Sequence, residues 1–585
     1  MDRSPCIHIV STKEPVGGAA FAALKNSGQV VTWGDAGCGG NSDSVKAELA
    51  KDVTSIAASN QAFAAVKTHG SVVAWGNTGS GGSTLTVKAK VASGVRKVFS
   101  SSMAFAALKH DGSVVTWGNP RFGGKSEKVK DLLREGVVHI YSTDGAFCAL
   151  KEDGSVVSWG SEGFGGTDLS VREQLAQGVQ QVFPNYAAFV ALKVDGSLVA
   201  WGDARYGADI GPVKDQVAGH VQHVYSTDRA FAALKADGSV VTWGSSDFGG
   251  NSAAVKDKLA HGVQHVLSTY TAFAALKVDG SVITWGDSFA GGNSRAVHSQ
   301  LSSGVKSICS STGAFAGLKL DGSVVTWGSH KHGGSSIAVL AQLAGNVHRI
   351  YSNSAAFAAV KSEGEVITWG DATSGGNSEN VREQLSSGIV EIFSSSHAFA
   401  AVKADGSVFT WGNANSGGNS DAVKDQLEAP SLMLASTPAP ILKDLGVDEV
   451  GMASGRDQHG LSLGADAAAK QTRAAEVKPS PSGGSPEEEA GPTTKRWMSK
   501  AGVEKKAKDG EHRVPTTSSG AVVHEGKART SRGVELEVGE KEKAKDLQRR
   551  IQALARKVRS AEMTDADLGE LLQELNDLKP YLQAR

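Results

Sequence analysis

Ten tryptophans stand at a constant interval of 42 residues: Trp33, Trp75, Trp117, Trp159, Trp201, Trp243, Trp285, Trp327, Trp369 and Trp411. Each is followed by Gly and preceded by a version of A-F-A-A-L-K-x-D-G-S-V-V-T. A fixed period of this length means a repeat architecture, in which one supersecondary unit is stacked on copies of itself. Residues common to all copies therefore build the fold, and function is expected in what varies between copies or lies outside them. No interval between tryptophans contains an insertion.

One copy, residues 221–262, shows what the unit contains. Val221–Ser226 is short and β-branched, as a strand requires. Ala230–Lys235 and Ser239–Trp243 flank Ala236-Asp237-Gly238, two apolar runs around a glycine-bearing turn, which predicts a β-hairpin. The turn column is Gly in all ten copies, because Gly reaches φ > 0 without steric cost, and Asp precedes it in seven. After the hairpin a loop ends in Gly-Gly. Ser252 then predicts the N-cap of a helix of about two turns, with Val255 and Leu259 on one face. Such a helix is unstable alone and must dock on the sheet.

The hairpin strands are apolar on both faces. Ala230, Ala232 and Leu234 share one face and Phe231 and Ala233 the other. Val241 and Trp243 are paired in the same way against Val240 and Thr242. Strands buried on both sides belong to sheets packed between other layers. A lone three-stranded sheet with its helix cannot bury both faces, but stacked neighbours can, around a ring or along a solenoid.

The core A-F-A-A-L-K-A-D-G-S-V-V-T-W-G (230–244), with a V-x-x-V/I strand before it, resembles the repeat of the regulator of chromosome condensation family. The resemblance spans roughly residues 7–437 and holds ten times in phase. It implies an all-β propeller, in that family typically seven-bladed, and known members include an exchange factor for a nuclear small GTPase and ubiquitin ligases with a HECT domain. This sequence departs from the family pattern: G-Q-L-G is reduced to Gly249-Gly250, the His before the strand is Ala230, and the repeat is shorter, which suggests three-stranded blades. The expected fold is a propeller-like ring of ten 42-residue units, with an open superhelix of the same units as the alternative. Leu432–Thr437 (LMLAST) falls in register as an eleventh first strand, able to complete a blade with the N-terminal hairpin or to cap an open end.

No catalytic constellation accompanies the repeats. Phosphate-loop, HExxH and GxSxG patterns are absent, and the last of the four cysteines, Cys309, lies inside a repeat, so HECT chemistry is not expected. Ten copies without insertion also leave no room for the inserted element through which the exchange factor contacts its GTPase. No cofactor is implied. The four cysteines share no metal or disulfide spacing. Net charge of -1 gives no support for a nucleic-acid binder. The N-terminus lacks the apolar run of a signal peptide and no stretch reads as a membrane span, which predicts a cytoplasmic or nuclear protein.

Candidate sites reduce to columns. A Lys column (Lys25 through Lys403) is complete and is read as stems lying over the hairpin end with ammonium groups near the turn carboxylate. His139, His223 and His265 share a first-strand column read as a solvated face, with separate blades keeping them apart. His330-Lys331-His332 is a lone HxH in a loop. The loop after Trp-Gly varies most, and four successive copies place an aromatic in one column: Phe122, Phe164, Tyr206 and Phe248. With Arg121 and Arg205 these form the candidate partner-binding sector, since loops on a rigid scaffold carry function and contiguous exposed aromatics mark protein interfaces. The competing reading is that these rings pack internally.

Domains are expected at 1–437 for the array, 438–536 for a disordered linker rich in Ala, Gly, Ser, Pro, Lys and Glu, and 537–585 for a helical hairpin. In the last, Leu547, Ile551, Leu554 and Val558 follow a coiled-coil-like spacing suited to self-association, and a capping-box-like start at Thr564 opens a second helix lined by leucines. The expected function is a non-enzymatic protein-interaction scaffold. Alternatives are regulation of a small GTPase, or substrate recognition for ubiquitin machinery acting through another chain.

Overall fold

The computed structural model describes residues 8–12 and 18–427. It contains ten antiparallel three-stranded sheets, one per repeat, each with its strands in chain order. Repeat 6 is typical: Val221–Ser226, Ala230–Lys235 and Val240–Gly244. The V-x-x-V spacing of the first strand has a mechanical basis. The register slips between Val221 and His223, so one bulged residue lets Val221 and Val224 both face the core despite standing three apart. Both are buried.

The turn between the second and third strands is set by two residues. Its glycines all lie at φ between 74° and 88°, and a Cβ on Gly238 would stand 2.8 Å from the backbone nitrogen of Gly262. Asp237 accepts from the Ser239 amide (2.9 Å) and hydroxyl (2.6 Å). That local bond closes the turn side chain to backbone.

The two-faced apolarity of the hairpin divides as the alternation requires. Phe231, Ala233 and Trp243 pack with Phe183, Ala188, Val190 and Leu192 of repeat 5. Ala230, Ala232 and Leu234 pack with Leu259 and with Phe273, Ala275 and Trp285 of repeat 7. The molecule thus has a series of separate cores, each lying between two adjacent sheets.

Every one of these junctions uses the same contact. In each repeat the Phe of the second strand stacks on the Trp of the third, centroids 5.2–5.4 Å apart. The indole N–H donates at 2.9–3.2 Å to the carbonyl of the first Gly of the preceding repeat's Gly-Gly, or of Gly207-Ala208 in repeat 5. That Gly must be Gly: at Gly207 (φ 89°) a Cβ would stand 2.8 Å from Cδ2 of Phe231.

The series closes on itself, which decides between ring and superhelix. Trp33 of repeat 1 donates to the carbonyl of Gly417 in repeat 10 at 3.0 Å. Ile9, Phe21, Ala23, Val31 and Trp33 share one core with Ala398, Ala400, Val402, Val408 and Leu427. On the first strands a serine hydroxyl reaches the carbonyl of the repeat before it, as Ser142 to Ser100 (2.7 Å) and Ser268 to Ser226 (2.6 Å), and Ser11 continues the series to Ser394 at 2.9 Å. The fold is a ten-bladed propeller.

Several expectations need correction. The segment after Gly-Gly is a 3-10 helix, seven residues at Ala253–Leu259 and three in most copies, such as Glu127–Val129. Ser252 does not cap it; its hydroxyl bonds instead to Thr242 Oγ1 at 2.9 Å, pinning the segment to the third strand. Leu259 is buried all the same. The lysine ammonium groups act on the turn carboxylates, as Lys235 does on Asp237, and several also find a carbonyl. Lys67 donates to Glu48 (2.7 Å) and Lys193 to Gln174 (2.8 Å), both in the turn that precedes the next first strand. Lys25 does the same to Gln426 across the closure, at 2.7 Å.

Repeat 1 also carries an insertion, upstream of the first tryptophan. Ser11 pairs with Phe21, ten residues on, where Ser226 pairs with Phe231, five on. The link from first to second strand is five residues longer, and residues 13–17 lie outside the described residues. The first strand of repeat 1 is His8–Ser11 itself, so the N-terminal hairpin does not lack a first strand for LMLAST to supply. Leu432–Thr437, the linker, and the helical stripe of Leu547, Ile551, Leu554 and Val558 lie outside the described residues.

Closure makes terminal and internal junctions equivalent. Trp33→Ala is expected to destabilise the ring by about as much as Trp243→Ala, each on the order of 3–5 kcal/mol, in guanidinium unfolding followed by far-ultraviolet circular dichroism. A markedly milder Trp33→Ala would mean an end that frays, as in an open array.

Candidate functional site

The end of each blade that carries the variable loop is rigid. The third strand leaves Trp-Gly into a 3-10 turn, Pro120–Phe122, Glu162–Phe164, Ala204–Tyr206 and Ser246–Phe248 in repeats 3 to 6. Asn119 and Asp203 open their turns by accepting from the amides of Arg121 (3.0 Å) and Arg205 (2.9 Å), and an αL Gly ends each one. The last residue of the turn is further held through its carbonyl. Phe122 accepts from Ser101 Oγ (2.7 Å), Phe164 from Thr143 Oγ1 (2.8 Å), Tyr206 from Asn185 Nδ2 (2.7 Å) and Phe248 from Thr227 Oγ1 (2.8 Å).

All four aromatic rings are half-buried, and each packs on the core of its own junction. Three of the four are joined by two residues that the sequence reading missed, Tyr186 and Arg229, from the loops between first and second strands. Tyr186 lies 5.6 Å from Phe164 and is stacked on Tyr206 at 5.5 Å with an interplanar angle of 22°. The Arg229 guanidinium lies 5.0 Å from the Tyr206 ring and 4.8 Å from Phe248, within cation–π range of both. A continuous stack, Phe164–Tyr186–Tyr206–Arg229–Phe248, therefore crosses repeats 4, 5 and 6. Phe122 packs separately, in the core between repeats 3 and 4. A sequence signal did exist: the column holding Arg229 is Gly145 in repeat 4, where a Cβ would stand 2.7 Å from Phe164 Cγ.

Arg121 and Arg205 are exposed on the same end of the blades. Arg205 is paired with its own turn residue Asp203 at 2.6 Å, which holds the Asp203 carboxyl below its ordinary range. In repeat 7 the same turn position is Phe289, 83% exposed.

The histidines do not lie on a solvated face, although Lys97 and Glu391 of the same column are exposed. His139 and His223 are half-buried, wedged edge-on against aromatic rings of the preceding blade: His139 against Phe99 at 5.0 Å and His223 against Phe183 at 4.8 Å. Each also contacts the Tyr two residues on, at 4.5 Å. Nor does the ring keep all of them apart, since His265 of the next blade acts electrostatically on His223. Burial pushes both His139 and His223 down to about 4, with Lys97 and Arg96 adding to the effect at His139. In the loop motif, His332 turns inward to Ser329 Oγ at 2.9 Å. Among the described residues no group of three or more His, Cys, Asp or Glu is placed to hold a metal, and no helix is long and apolar enough to cross a membrane.

The sign of the histidine effect follows from linkage. An unfolded His takes a proton near 6.5, whereas the folded His139 and His223 do so only near 4. Stability is therefore complete above about pH 6.5 and is lost as pH falls from there toward 4. The turn aspartates, held low chiefly by their serines as at Asp237, lose their contribution only as pH falls below the ordinary carboxylate value, outside that window. Melting temperature is expected to drop between pH 7 and pH 5, and His139→Gln with His223→Gln to flatten that slope. An unchanged slope in the double variant would remove the assignment.

Comparison with family patterns finds no match, and comparison with curated proteins finds none either. Solved structures do show likeness. Prp20p from Saccharomyces cerevisiae, described with its binding properties to Gsp1p and histones, is 18% identical over 40% of this chain and 72% of its own, with a TM-score of 0.26. Human WBSCR16 is 15% identical over 40% of this chain and 76% of its own, with a TM-score of 0.27. Yeast RCC1 (Prp20) bound to Kap60 is 17% identical over 56% of this chain and 79% of its own, with a TM-score of 0.29.

Proposed function

We propose that the ring is a non-enzymatic protein-interaction scaffold and that its binding sector is the loop end of repeats 3 to 6. The observation behind this reading is the stack from Phe164 to Phe248, flanked by exposed Arg121, Arg205 and Phe289. Aromatic and arginine side chains on a preorganised backbone supply contact area at low entropic cost, which is what interface hot spots require. The half-buried rings serve two purposes in this reading. Their faces hold neighbouring blades together, and the part left open, with the exposed arginines, meets the partner.

The test separates those purposes by choosing residues outside the cores. Proximity labelling in the native cell is compared for the wild-type chain and the Arg121→Glu/Arg205→Glu/Phe289→Ser variant. A defined set of proteins lost from the variant, at unchanged melting temperature, is the expected result. An identical labelled set would sink the assignment of this sector. A small GTPase or ubiquitin-ligase subunits among the lost proteins would name the partner class, and acceleration of nucleotide release by the purified ring would turn the reading toward GTPase regulation.

A further inference from the structure

Each sheet ends on its first strand, which pairs only with the second. The free edges of these strands surround the axis of the ring. Successive first strands are joined directly, a serine hydroxyl of one to a carbonyl of the one before, as Ser100 to Ala58 (2.7 Å) and Ser394 to Ser352 (2.8 Å). Third strands are held apart by the intervening 3-10 segment: Leu259 packs between Trp285 and the hairpin residues Ala232 and Leu234. In a closed ring, the elements that bond directly from blade to blade lie on the smaller circle.

The bulge gives this inner edge its side chains. One residue of each first strand from repeat 2 to repeat 10 is skipped by the pairing, as Gln222 is between Val221 and His223. A bulge re-aims its side chain out of the ladder, and most of this column is exposed, including Arg96, Gln180, Gln264, Lys306 and His348. The Arg96 guanidinium donates to the carbonyl of Val138, the bulge residue of the next blade, at 2.8 Å, so neighbouring bulges share one surface. No acid stands in the column, in a chain with 60 Lys and Arg against 61 Asp and Glu. The position after the bulge adds Lys97 and Arg349 and one acid, Glu391. Glu391 lies near Arg349, since both act on the Tyr351 hydroxyl. Lys306 of repeat 8 stands five blades from Arg96 and Lys97 of repeat 3 in a ring of ten, and so on the opposite side of the axis.

We propose that the bulge-lined channel along this axis is a docking site for an extended acidic segment of a partner protein. Charge complementarity carries the choice. Cations on two opposite sides suit charges strung along a chain, whereas a compact phosphate needs its cations at one point. Gln180, Gln222 and Gln264, on the blades between, offer donors and acceptors to a peptide main chain. The bulge column holds no aromatic side chain on which a nucleic-acid base could stack. The site is also separate from the aromatic sector. Val221, just before its bulge, pairs with Lys235 beside the hairpin turn, whereas the Trp-Gly loops leave from the far end of the third strand. Binding here therefore does not depend on binding there.

The full chain is titrated into a fluorescein-labelled polyglutamate peptide at low ionic strength and followed by fluorescence anisotropy. The unaltered chain is expected to bind, and Lys97→Glu with Lys306→Glu to weaken binding by on the order of tenfold or more. Glu391→Lys is expected to tighten it, which keeps the test decisive if the double variant folds poorly. Arg121→Glu with Arg205→Glu makes the same change in net charge at the other end of the blades and is expected to leave affinity unchanged. The proposal is overturned if the two double variants weaken binding equally, if Glu391→Lys does not tighten it, or if inositol hexakisphosphate or a single-stranded oligothymidylate binds in a Lys306-dependent way while the peptide does not.

Discussion

Everything in this ring depends on one contact, the indole N–H of one blade donating to a glycine carbonyl of the blade before. Three residues must agree for it to form. The glycine must have no Cβ, because the Phe ring lies where a Cβ would be. The Phe must stack on the Trp to fix the indole plane. The Trp must be buried, so that its N–H, removed from water, needs that carbonyl. A hydrogen bond of this kind contributes only about 1 kcal/mol net, but leaving a buried donor unpaired costs about 1–3 kcal/mol. The contact therefore specifies the angle between blades more than it stabilises them, and the apolar area around it provides the cohesion.

Much of this was legible beforehand. Period, strand order, the αL turn glycine and the two buried faces of the hairpin follow from residue spacing alone. The ring did not follow, because closure depends on the angle at a junction, and no local pattern encodes an angle. The helix was misread because Ser252 has the right identity for a cap but spends its hydroxyl on Thr242. The histidines were misread for a related reason. Polar residues in one column look solvated, yet the aromatic column two residues on, Phe99, Tyr141, Phe183 and Tyr225, belongs to the same surface and covers them. The loop stack was half legible: Phe164, Tyr206 and Phe248 were found in one column, while Tyr186 and Arg229 stand in two adjacent columns, where the neighbouring copies carry Asp228 and Asp144 or Ala187 and Gly145.

The variable positions divide by location. Inner columns on the first strands contact the next blade, so their variation is limited by packing. The tips of the loops after Trp-Gly face outward on turns whose backbones are fixed by side-chain bonds from Ser101, Thr143, Asn185 and Thr227. Variation there changes the surface without disturbing the frame. That separation is what allows ten nearly identical blades to present ten different surfaces.

The identity of all ten junctions has a further consequence for how such a chain can change over generations. Each junction turns the chain through one tenth of a circle, and nothing else fixes the number of blades. Recombination between near-identical repeats readily adds or deletes whole 42-residue units. A chain of nine or eleven would keep every local interaction but would have to bend all its junctions together, or leave one of them open. The copy number is thus under selection from geometry itself, and the ring polices its own gene for unequal exchange.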